Sequence, residues 1–326
     1  MVSLGDIQVK TYSDRTASDL YVDKPLSNIS IKYTNSEMLA GLVVKEVPVT
    51  EETGYIWSYG LENFAIKDLQ RADKTRSKQS SYSVSHSATY ALINYALSDV
   101  VTEKMRKQQA APMQVDMDTA ENLTDILLLN KEYLLSSALF NTGSTGFSGY
   151  TETLNAGSDY YQWNDYTNSA PMLCASYAKG KIHSNSGVTS KISLIVGYDV
   201  WTQLENHPDV LELIKYTQMG VVTQDIVAKA MQIDNLYVGR ASYNSANEGQ
   251  TATLASVWGK YALFMHTPDR VTIKTSACAA TLHGGRQVRK WNDPYLRNAD
   301  VIEVEEAFQH KLLSARSGYL FSTAVA

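Results

Sequence analysis

The strongest hydrophobic pattern in the chain lies between Asp118 and Phe140. Apolar side chains recur there at spacings of three and four, the period of an α-helix, at Leu123, Ile126, Leu127, Leu134 and Ala138. A second apolar row, which includes Tyr133, leaves a narrow polar strip at Glu121, Asp125, Lys131 and Glu132. Asp118 predicts the helix start as an N-cap, and Gly143 predicts its stop. The pattern therefore predicts a helix about 35 Å long that is covered on more than one side.

Extended segments are predicted between Leu42 and Tyr59. A β-branched run from Val43 to Val49 and an aromatic run from Tyr55 to Tyr59, which includes Trp57, flank a turn at residues 50–54 and predict a β-hairpin. The next stretch, 67–87, is polar, and basic residues outnumber Asp68 and Asp73 there: Lys67, Arg71, Lys74, Arg76 and Lys78. Because so long a polar connection is unusual inside a compact domain, we predict a projecting, basic, two-stranded loop that gains order from a partner. The alternative is a solvated surface loop.

The flanking segments carry weaker patterns. Residues 1–38 are polar and irregular, which fits an arm that runs over a neighbouring surface. Ser98 is a candidate cap for a short helix from Asp99 to Arg106. Residues 143–185 are dense in Gly, Ser, Thr, Asn and Tyr, so we expect a surface connection and a domain boundary there.

From Lys191 onward the pattern predicts a small α/β unit. A buried strand at 192–196 ends at Gly197, and the helix that follows, capped by Asp199, turns Val200, Trp201 and Leu204 inward and stops at 206–208. Two further short helices are predicted around 209–214 and 227–231, and two further strands at 236–240 and 257–264. Strands alternating with helices over roughly 75 residues are typical of an α/β domain.

Composition narrows the function classes. The chain has 326 residues, 44% of them hydrophobic, which is enough for a large core and about two domains. Its formal charge of -5 argues against a dedicated nucleic-acid binder. Two distant cysteines indicate a reduced, intracellular protein, and neither a membrane span nor a secretion signal is predicted.

Patterns typical of catalysis and metal binding are missing from the sequence. The six histidines are scattered, with no His-x-x-x-His or Cys-x-x-Cys, and neither a Gly-x-Ser-x-Gly elbow nor a phosphate loop occurs. We therefore predict no catalytic, cofactor-binding or metal-binding residues and no cofactor. Gly284-Gly285-Arg286 is interpreted as a turn between strands. Together with Trp291, the basic side chains of Arg286, Arg289 and Lys290 form a small patch that could touch DNA or a neighbouring subunit, and we favour the subunit contact.

Several segments, in order, resemble a known family. The stretches LIVGYDVWTQLENHPDVLELIKY, TQDIVAKAMQIDNLYVGRASYN and VWGKYALFMHTP resemble the axial domain of tailed-bacteriophage major capsid proteins of the Hong Kong 97 type, and ADVIEVEEAFQHKLLSARSGYLF resembles that family's final strands. The long helix is similar to the family's spine helix, with Glu132 where the family often carries an acid. Residues 43–87 resemble its extended loop, and residues 1–38 resemble its N-terminal arm.

The resemblance implies an α+β Hong Kong 97-type capsid fold and a division of the chain. The parts are an N-terminal arm (1–38), an extended β-hairpin loop (39–88), a peripheral domain (89–185 and 265–326) with a spine helix (116–141), and an axial domain (186–264). The chain begins almost directly with the arm, so the resemblance implies that an N-terminal scaffolding segment was removed or that a separate scaffold acts. The connection 141–185 has no counterpart in the family.

The implied function is that of a major capsid protein, which self-assembles into the icosahedral head shell of a phage. Expected partners are copies of itself in hexamers and pentamers, with separate scaffolding, portal and decoration proteins possible; the shell encloses double-stranded DNA without sequence-specific binding and touches no membrane. The protein is expected in the virion after assembly in the host cytoplasm. Alternatives are an encapsulin-type compartment and, in another class, a soluble α/β hydrolase or binding protein.

The resemblance also makes the basic loop a candidate contact between subunits. Arg71, Lys74, Arg76 and Lys78, with Trp57, would meet acidic residues of a neighbour, for which the candidates are Glu121, Asp125, Glu132, Glu303, Glu305 and Glu306. The hypothesis predicts that reversing Arg71 and Arg76 to Glu stops shell formation and leaves the monomer folded.

Overall fold

A computed structural model describes residues 21–22, 38–59, 63, 65–71, 73–79, 84–108, 114–155, 160–215, 222–247, 249–272, 275–293 and 299–326. The helices are α1 (Ala40–Val43), α2 (Glu103–Gln108), α3 (Val115–Leu139), α4 (Pro171–Ser186), α5 (Tyr198–Glu205), α6 (Pro208–Lys215) and α7 (Gln224–Ala230). The first strands are β1 (Tyr21–Val22), β2 (Glu46–Pro48), β3 (Thr53–Tyr59), β4 (Val84–Ala91), β5 (Ile93–Val101), β6 (Thr151–Thr153) and β7 (Ile192–Gly197). The remaining strands are β8 (Asn235–Gly239), β9 (Ser242–Asn244), β10 (Leu254–Ser256), β11 (Ala262–His266), β12 (Ala279–Asp293), β13 (Ala299–Leu312) and β14 (Gly318–Ser322).

The chain divides into two compact units. The first comprises the described residues of 1–34, 94–127 and 285–306, and the second comprises those of 35–93, 128–284 and 307–326. Helix α3 and strands β12 and β13 contribute residues to both units. The sequence-based division into arm, loop, peripheral and axial parts stays a prediction.

The first unit has a small apolar core. The first half of α3 packs against strands β5, β12 and β13 through Val101, Ala120, Leu123, Leu127, Val288, Ile302 and Val304. The strand order is β1-β12-β13-β5, and β1 is antiparallel to β12, with Tyr21 opposite Lys290.

The second unit is built on a five-stranded sheet of order β6-β14-β11-β7-β8. Strand β7 is buried along its whole length, is antiparallel to β11 and is parallel to β8. Val200, Trp201 and Leu204 of α5 are buried in the core beside it. The predicted strand at 192–196, the helix after it and its stop near Pro208 are thus confirmed. The predicted cap is wrong, because the N-cap residue is Gly197 and Asp199 lies in the first turn of α5.

His207 fixes the corner between α5 and α6. The imidazole is fully buried; its Nδ1 accepts a hydrogen bond from the Asp209 amide at 3.2 Å, and its Nε2 lies 2.9 Å from the Ser169 hydroxyl. Nδ1 is therefore the acceptor and Nε2 carries the proton in the neutral ring. Burial lowers the pKa of His207, and the nearby Asp209 charge opposes this effect.

The long helix exists, but its predicted limits and faces are partly wrong. It begins at Val115, three residues before Asp118, and ends at Leu139. Ile126 and Tyr133, assigned to apolar stripes, are 47% and 45% exposed, whereas Lys131 and Glu132, assigned to the polar strip, are buried. Both charged side chains have partners distant in the sequence, which a local periodicity does not register.

The predicted hairpin pairs differently. Val43 lies in helix α1, β2 runs parallel to β12 with Val47 opposite Leu282, and the antiparallel partner of β3 is β4. Residues 98–101, assigned to a capped helix, belong to strand β5, and the helix begins only at Glu103.

Three further predictions are corrected. The supposed surface connection at 143–185 contains helix α4 and the fully buried side chains of Phe147, Leu154 and Trp163. Residues 257–260 form a turn before β11. Gly284-Gly285-Arg286 continues strand β12 without turning, and Gly285 adopts a φ of 103°, which a side chain rarely tolerates.

Candidate assembly surface

The hairpin of β3 and β4 carries the basic loop. Tyr55 faces Thr89, and the register shifts between Ile56 and Ser58, as in a β-bulge. Beyond the strands, every described residue in 65–71 and 73–79 is exposed. A loop with this exposure has no cover from the described part of its own chain.

The basic residues of the loop are therefore available to a partner. Arg71, Lys74, Arg76 and Lys78 are all exposed. Lys78 Nζ lies 2.6 Å from Asp68 Oδ2, and this contact lowers the pKa of Asp68. Across the described residues, Arg71 and Arg76 make no ion pair, so the loop keeps a net positive charge.

An aromatic cluster lies on the hairpin itself. His86 packs between Tyr55 and Trp57, with ring centroids 5.7 and 5.2 Å away. Tyr55 is 61% exposed and Trp57 is 50% exposed. Large exposed aromatic side chains of this kind are typical anchors of protein interfaces, and Trp57 keeps its predicted role as a candidate contact.

Glu132 holds the root of the loop inside the second unit. Its Oε2 accepts hydrogen bonds from the amides of Leu39 and Ala40 at 2.7 and 3.1 Å, and its Oε1 accepts one from Trp258 Nε1 at 2.6 Å. The side chain is fully buried. Burial raises the pKa of Glu132, although the three hydrogen bonds act in the opposite direction. Both carboxylate oxygens are occupied within the chain, so Glu132 is a structural residue of the second unit, in contrast to its predicted role as a contact between subunits.

Lys131 anchors the same segment. Its Nζ pairs with Glu46 Oε1 at 2.7 Å and lies 5.3 Å from the centre of the Phe308 ring. The Lys131 carbonyl is 3.0 Å from His310 Nε2, and His310 Nδ1 is 2.9 Å from the Thr281 hydroxyl. Lys131 and Glu132 together tie the start of the loop, at Glu46 and at the amides of 39 and 40, to helix α3.

The other predicted acidic partners differ in availability. Glu121 and Asp125 are half-buried on α3. Arg289 pairs with Glu303 at 3.6 Å and with Glu305, and Arg286 Nε lies 2.8 Å from Glu306 Oε2. Glu306 is buried. Their roles as contacts between subunits stay predictions.

These pairs also correct the basic patch. Besides Arg286 and Arg289, Lys290 is neutralised, because its Nζ lies 2.7 Å from Asp116 Oδ2 and 3.6 Å from Asp300 Oδ2. Arg106 contacts the same two carboxylates at 2.9 and 2.7 Å. Burial opposes the ionisation of Asp116, but Lys290 and Arg106 lower its pKa overall. The three basic side chains of the patch are therefore paired with carboxylates of the first unit, and a contact of the patch with a neighbouring subunit stays a prediction.

Sequence reasoning missed the Glu132 partners and the cavity described below. The family resemblance singled out Glu132 as an acidic position, but it did not identify the hydrogen-bond donors to its carboxylate, which are the indole of Trp258 and the backbone amides of Leu39 and Ala40. Among the described residues no group of three or more His, Cys, Asp or Glu side chains could hold a metal ion. None of the helices in the same part of the chain has the length and the hydropathy needed to span a membrane.

The chain is similar to known phage proteins over nearly its whole length. It is 24% identical to the major capsid protein of Burkholderia phage BcepMu (92% of this chain, 96% of the relative) and 25% identical to that of Pseudomonas phage JBD67 (94% and 97%). No family model matches the chain.

Solved structures agree on the fold. A phage-related protein from Bordetella bronchiseptica matches with a TM-score of 0.74 at 18% identity, covering 94% of this chain and 98% of that one. The capsid of cyanophage P-SCSP1u matches with a TM-score of 0.56 at 8% identity, covering 97% and 92%. The chain is thus a homologue of phage major capsid proteins and has their α+β capsid fold.

Proposed function

We propose that this protein is the major subunit of a phage head, which assembles into an icosahedral shell of hexamers and pentamers around double-stranded DNA. The homology to major capsid proteins implies self-assembly and a structural, non-enzymatic role in the virion. Assembly in the host cytoplasm, and help from scaffolding, portal and decoration proteins, belong to the proposal. DNA is enclosed without sequence-specific contacts, in keeping with the net charge of -5.

The observation that carries the proposal is the uncovered loop between β3 and β4. It combines exposed cations with exposed apolar side chains, at Ile66 and Leu69. Exposed apolar side chains surrounded by charges resemble the composition of a protein interface, with an apolar centre and a polar rim. Neighbouring copies that cover it would create the large interfaces, of about 2,000–5,000 Å² or more, that obligate assemblies use.

The alternatives receive less support. Both curated relatives are phage proteins, which favours a genome-filled head over an enzyme-filled compartment. A hydrolase is not supported either. The hydroxyl–imidazole pairs Ser169–His207 and Thr281–His310 both make further hydrogen bonds to the backbone, which hold them in the packing of the second unit.

The division of the chain follows the same proposal. Residues 1–38, of which 21–22 and 38 are described, would act as the arm; 39–88 as the extended loop; α3 as the spine; and 186–264 as the axial domain. The loop assignment is supported by its exposure, and the axial assignment by the compact α/β arrangement of β7, α5 and β8.

The proposal is tested by the size of the purified protein and by the dependence of assembly on the charges of Arg71 and Arg76. We expect megadalton particles or capsomers in size-exclusion chromatography, and shells in negative-stain microscopy. Arg71→Glu/Arg76→Glu should abolish shells while circular dichroism stays unchanged. The matched control Arg71→Lys/Arg76→Lys keeps both charges and should retain shells. A wild-type protein that stays a small oligomer under all assembly conditions would refute the proposed function.

Nucleic acid content distinguishes the two kinds of container. Particles purified from infected cells should contain double-stranded DNA that is protected from nuclease. Particles filled with an enzyme and free of DNA would support the compartment alternative instead.

A further inference from the structure

A cavity of about 560 Å³ opens beside the hairpin within the second unit. It is lined by Val47, Val49 and Trp57, and by Leu282 and Leu312. The volume lies in the range of pockets that bind ligands, roughly 300–1,000 Å³, and one water takes up about 30 Å³. The cavity is therefore large enough to accept two aliphatic side chains.

Two aliphatic side chains of matching size lie uncovered on the loop. Ile66 is fully exposed and Leu69 is 82% exposed, more than any other large hydrophobic side chains in the described residues. Ile66 lies nine residues beyond Trp57, outside the strands that line the cavity. Apolar groups in water favour burial, and the described part of the same chain supplies none for these two.

The charges around both surfaces are complementary. Glu51 and Glu52, two and three residues beyond Val49 on the connection from β2 to β3, are exposed acids with which the cations of a neighbour's loop can pair. Arg316, also exposed, is the charged residue that lines the cavity itself. Asp68, exposed between Ile66 and Leu69, pairs with Lys78 of its own loop and would exchange this surface contact for Arg316 of the neighbour.

We propose that Ile66 and Leu69 of one copy insert into this cavity on a second copy of the chain. The inference rests on the proposed shell function and names the contact through which the loop holds its neighbour. Loop and cavity are different surfaces, so the contact is heterologous: each copy gives its loop to the next, and the series closes into a ring.

Cross-linking of full-length protein tests the contact directly. Leu69→Cys combined with Ala88→Cys places one thiol on the loop and one on the exposed strand wall of the cavity, and both native cysteines are buried. Mild oxidation of assembled particles should give a ladder of covalent oligomers on a non-reducing gel. The control Leu69→Cys/Leu254→Cys uses another exposed leucine, outside the cavity, and should give none. Particles of the first variant without a ladder, or equal ladders from both, would overturn the inference.

A second measurement covers the energetics of the contact. Ile66→Ser/Leu69→Ser should raise the protein concentration needed for assembly by about tenfold or more, with an unchanged circular dichroism spectrum. Assembly at the wild-type concentration would contradict the proposed insertion. If the variants form normal particles with neither a disulfide ladder nor a higher concentration needed for assembly, the proposed contact alone is refuted. If the wild-type protein forms no particles, the shell function and the contact are refuted together.

Discussion

The carboxylate of Glu132 offers a test of the buried junction at the root of the loop. It accepts three hydrogen bonds from N–H donors, those of Leu39, Ala40 and Trp258. Glu132→Gln keeps the shape of the side chain but replaces one acceptor oxygen by an NH₂ donor. Whichever way the amide is turned, its NH₂ group faces at least one N–H.

The size of the expected loss in stability follows from the N–H donor that Glu132→Gln leaves without an acceptor. If the amide oxygen faces Leu39 and Ala40, the NH₂ faces the indole N–H of Trp258, whose present bond is 2.6 Å long. An unsatisfied buried donor costs about 1–3 kcal/mol, so Glu132→Gln should lower the free energy of unfolding by about that amount. Trp258→Phe removes the indole donor, and in that background Glu132→Gln should cost about 1–2 kcal/mol less.

The assay is a double-mutant cycle of urea unfolding on unassembled protein at a fixed concentration. Circular dichroism is the signal, because Trp258→Phe changes the fluorescence. The control Glu121→Gln alters a half-buried acid on the same helix and should change the free energy of unfolding by less than about 0.5 kcal/mol. Additivity of the two substitutions within about 0.5 kcal/mol would show that indole and carboxylate do not interact in solution, and the reasoning would be refuted.

Two further predictions concern the second unit. The pKa of His207 is lower in the folded state than its ordinary value of 6.5, so the contribution of its neutral ring to stability is complete above pH 6.5 and is lost as the pH falls below it. His207→Asn puts a capping residue that does not titrate at this position, and the free energies of urea unfolding of wild type and variant should converge on acidification. A difference that stays constant with pH would contradict this prediction. Gly239→Ala would place a methyl group 2.1 Å from Cγ of Trp258 and should lower the free energy of unfolding by about 1–3 kcal/mol or more, as measured by thermal unfolding. The control Gly180→Ala, in open space on helix α4, should raise it by about 0.5–1 kcal/mol. Equal effects of the two substitutions would contradict the close approach of Gly239 and Trp258.

Local signals made the β7–α5 segment predictable. A buried apolar run, the glycine at 197 and the stop at Pro208 lie within 17 residues, so each element is specified by its neighbours. The same kind of signal revealed the existence of α3. Its faces were not predictable, because the partners of Lys131 and Glu132 lie 85 to 126 residues away.

Strand pairing was the other property beyond the reach of sequence. The runs at 43–49 and 55–59 look like two halves of one hairpin, yet β2 pairs in parallel with a strand more than 230 residues later. Because Val47 pairs with β12, it does not pair with β3, and the antiparallel partner of β3 is β4. The exposure of the basic loop, in contrast, was predictable from its polarity and length, since a segment without apolar periodicity has no face to bury.

Root and tip of the loop differ in a way that suits assembly. The root is fixed at three places: Glu132 holds the amides at 39 and 40, Lys131 holds Glu46, and Val47 lies in register with Leu282. The tip leaves Ile66 and Leu69 in water. In the proposed contact, a root that is fixed before assembly limits the directions in which the tip can reach, and this would reduce the entropy lost on binding a neighbour. A buried carboxylate is weak evidence for stability alone, and directional control of the loop gives a physical reason for its presence.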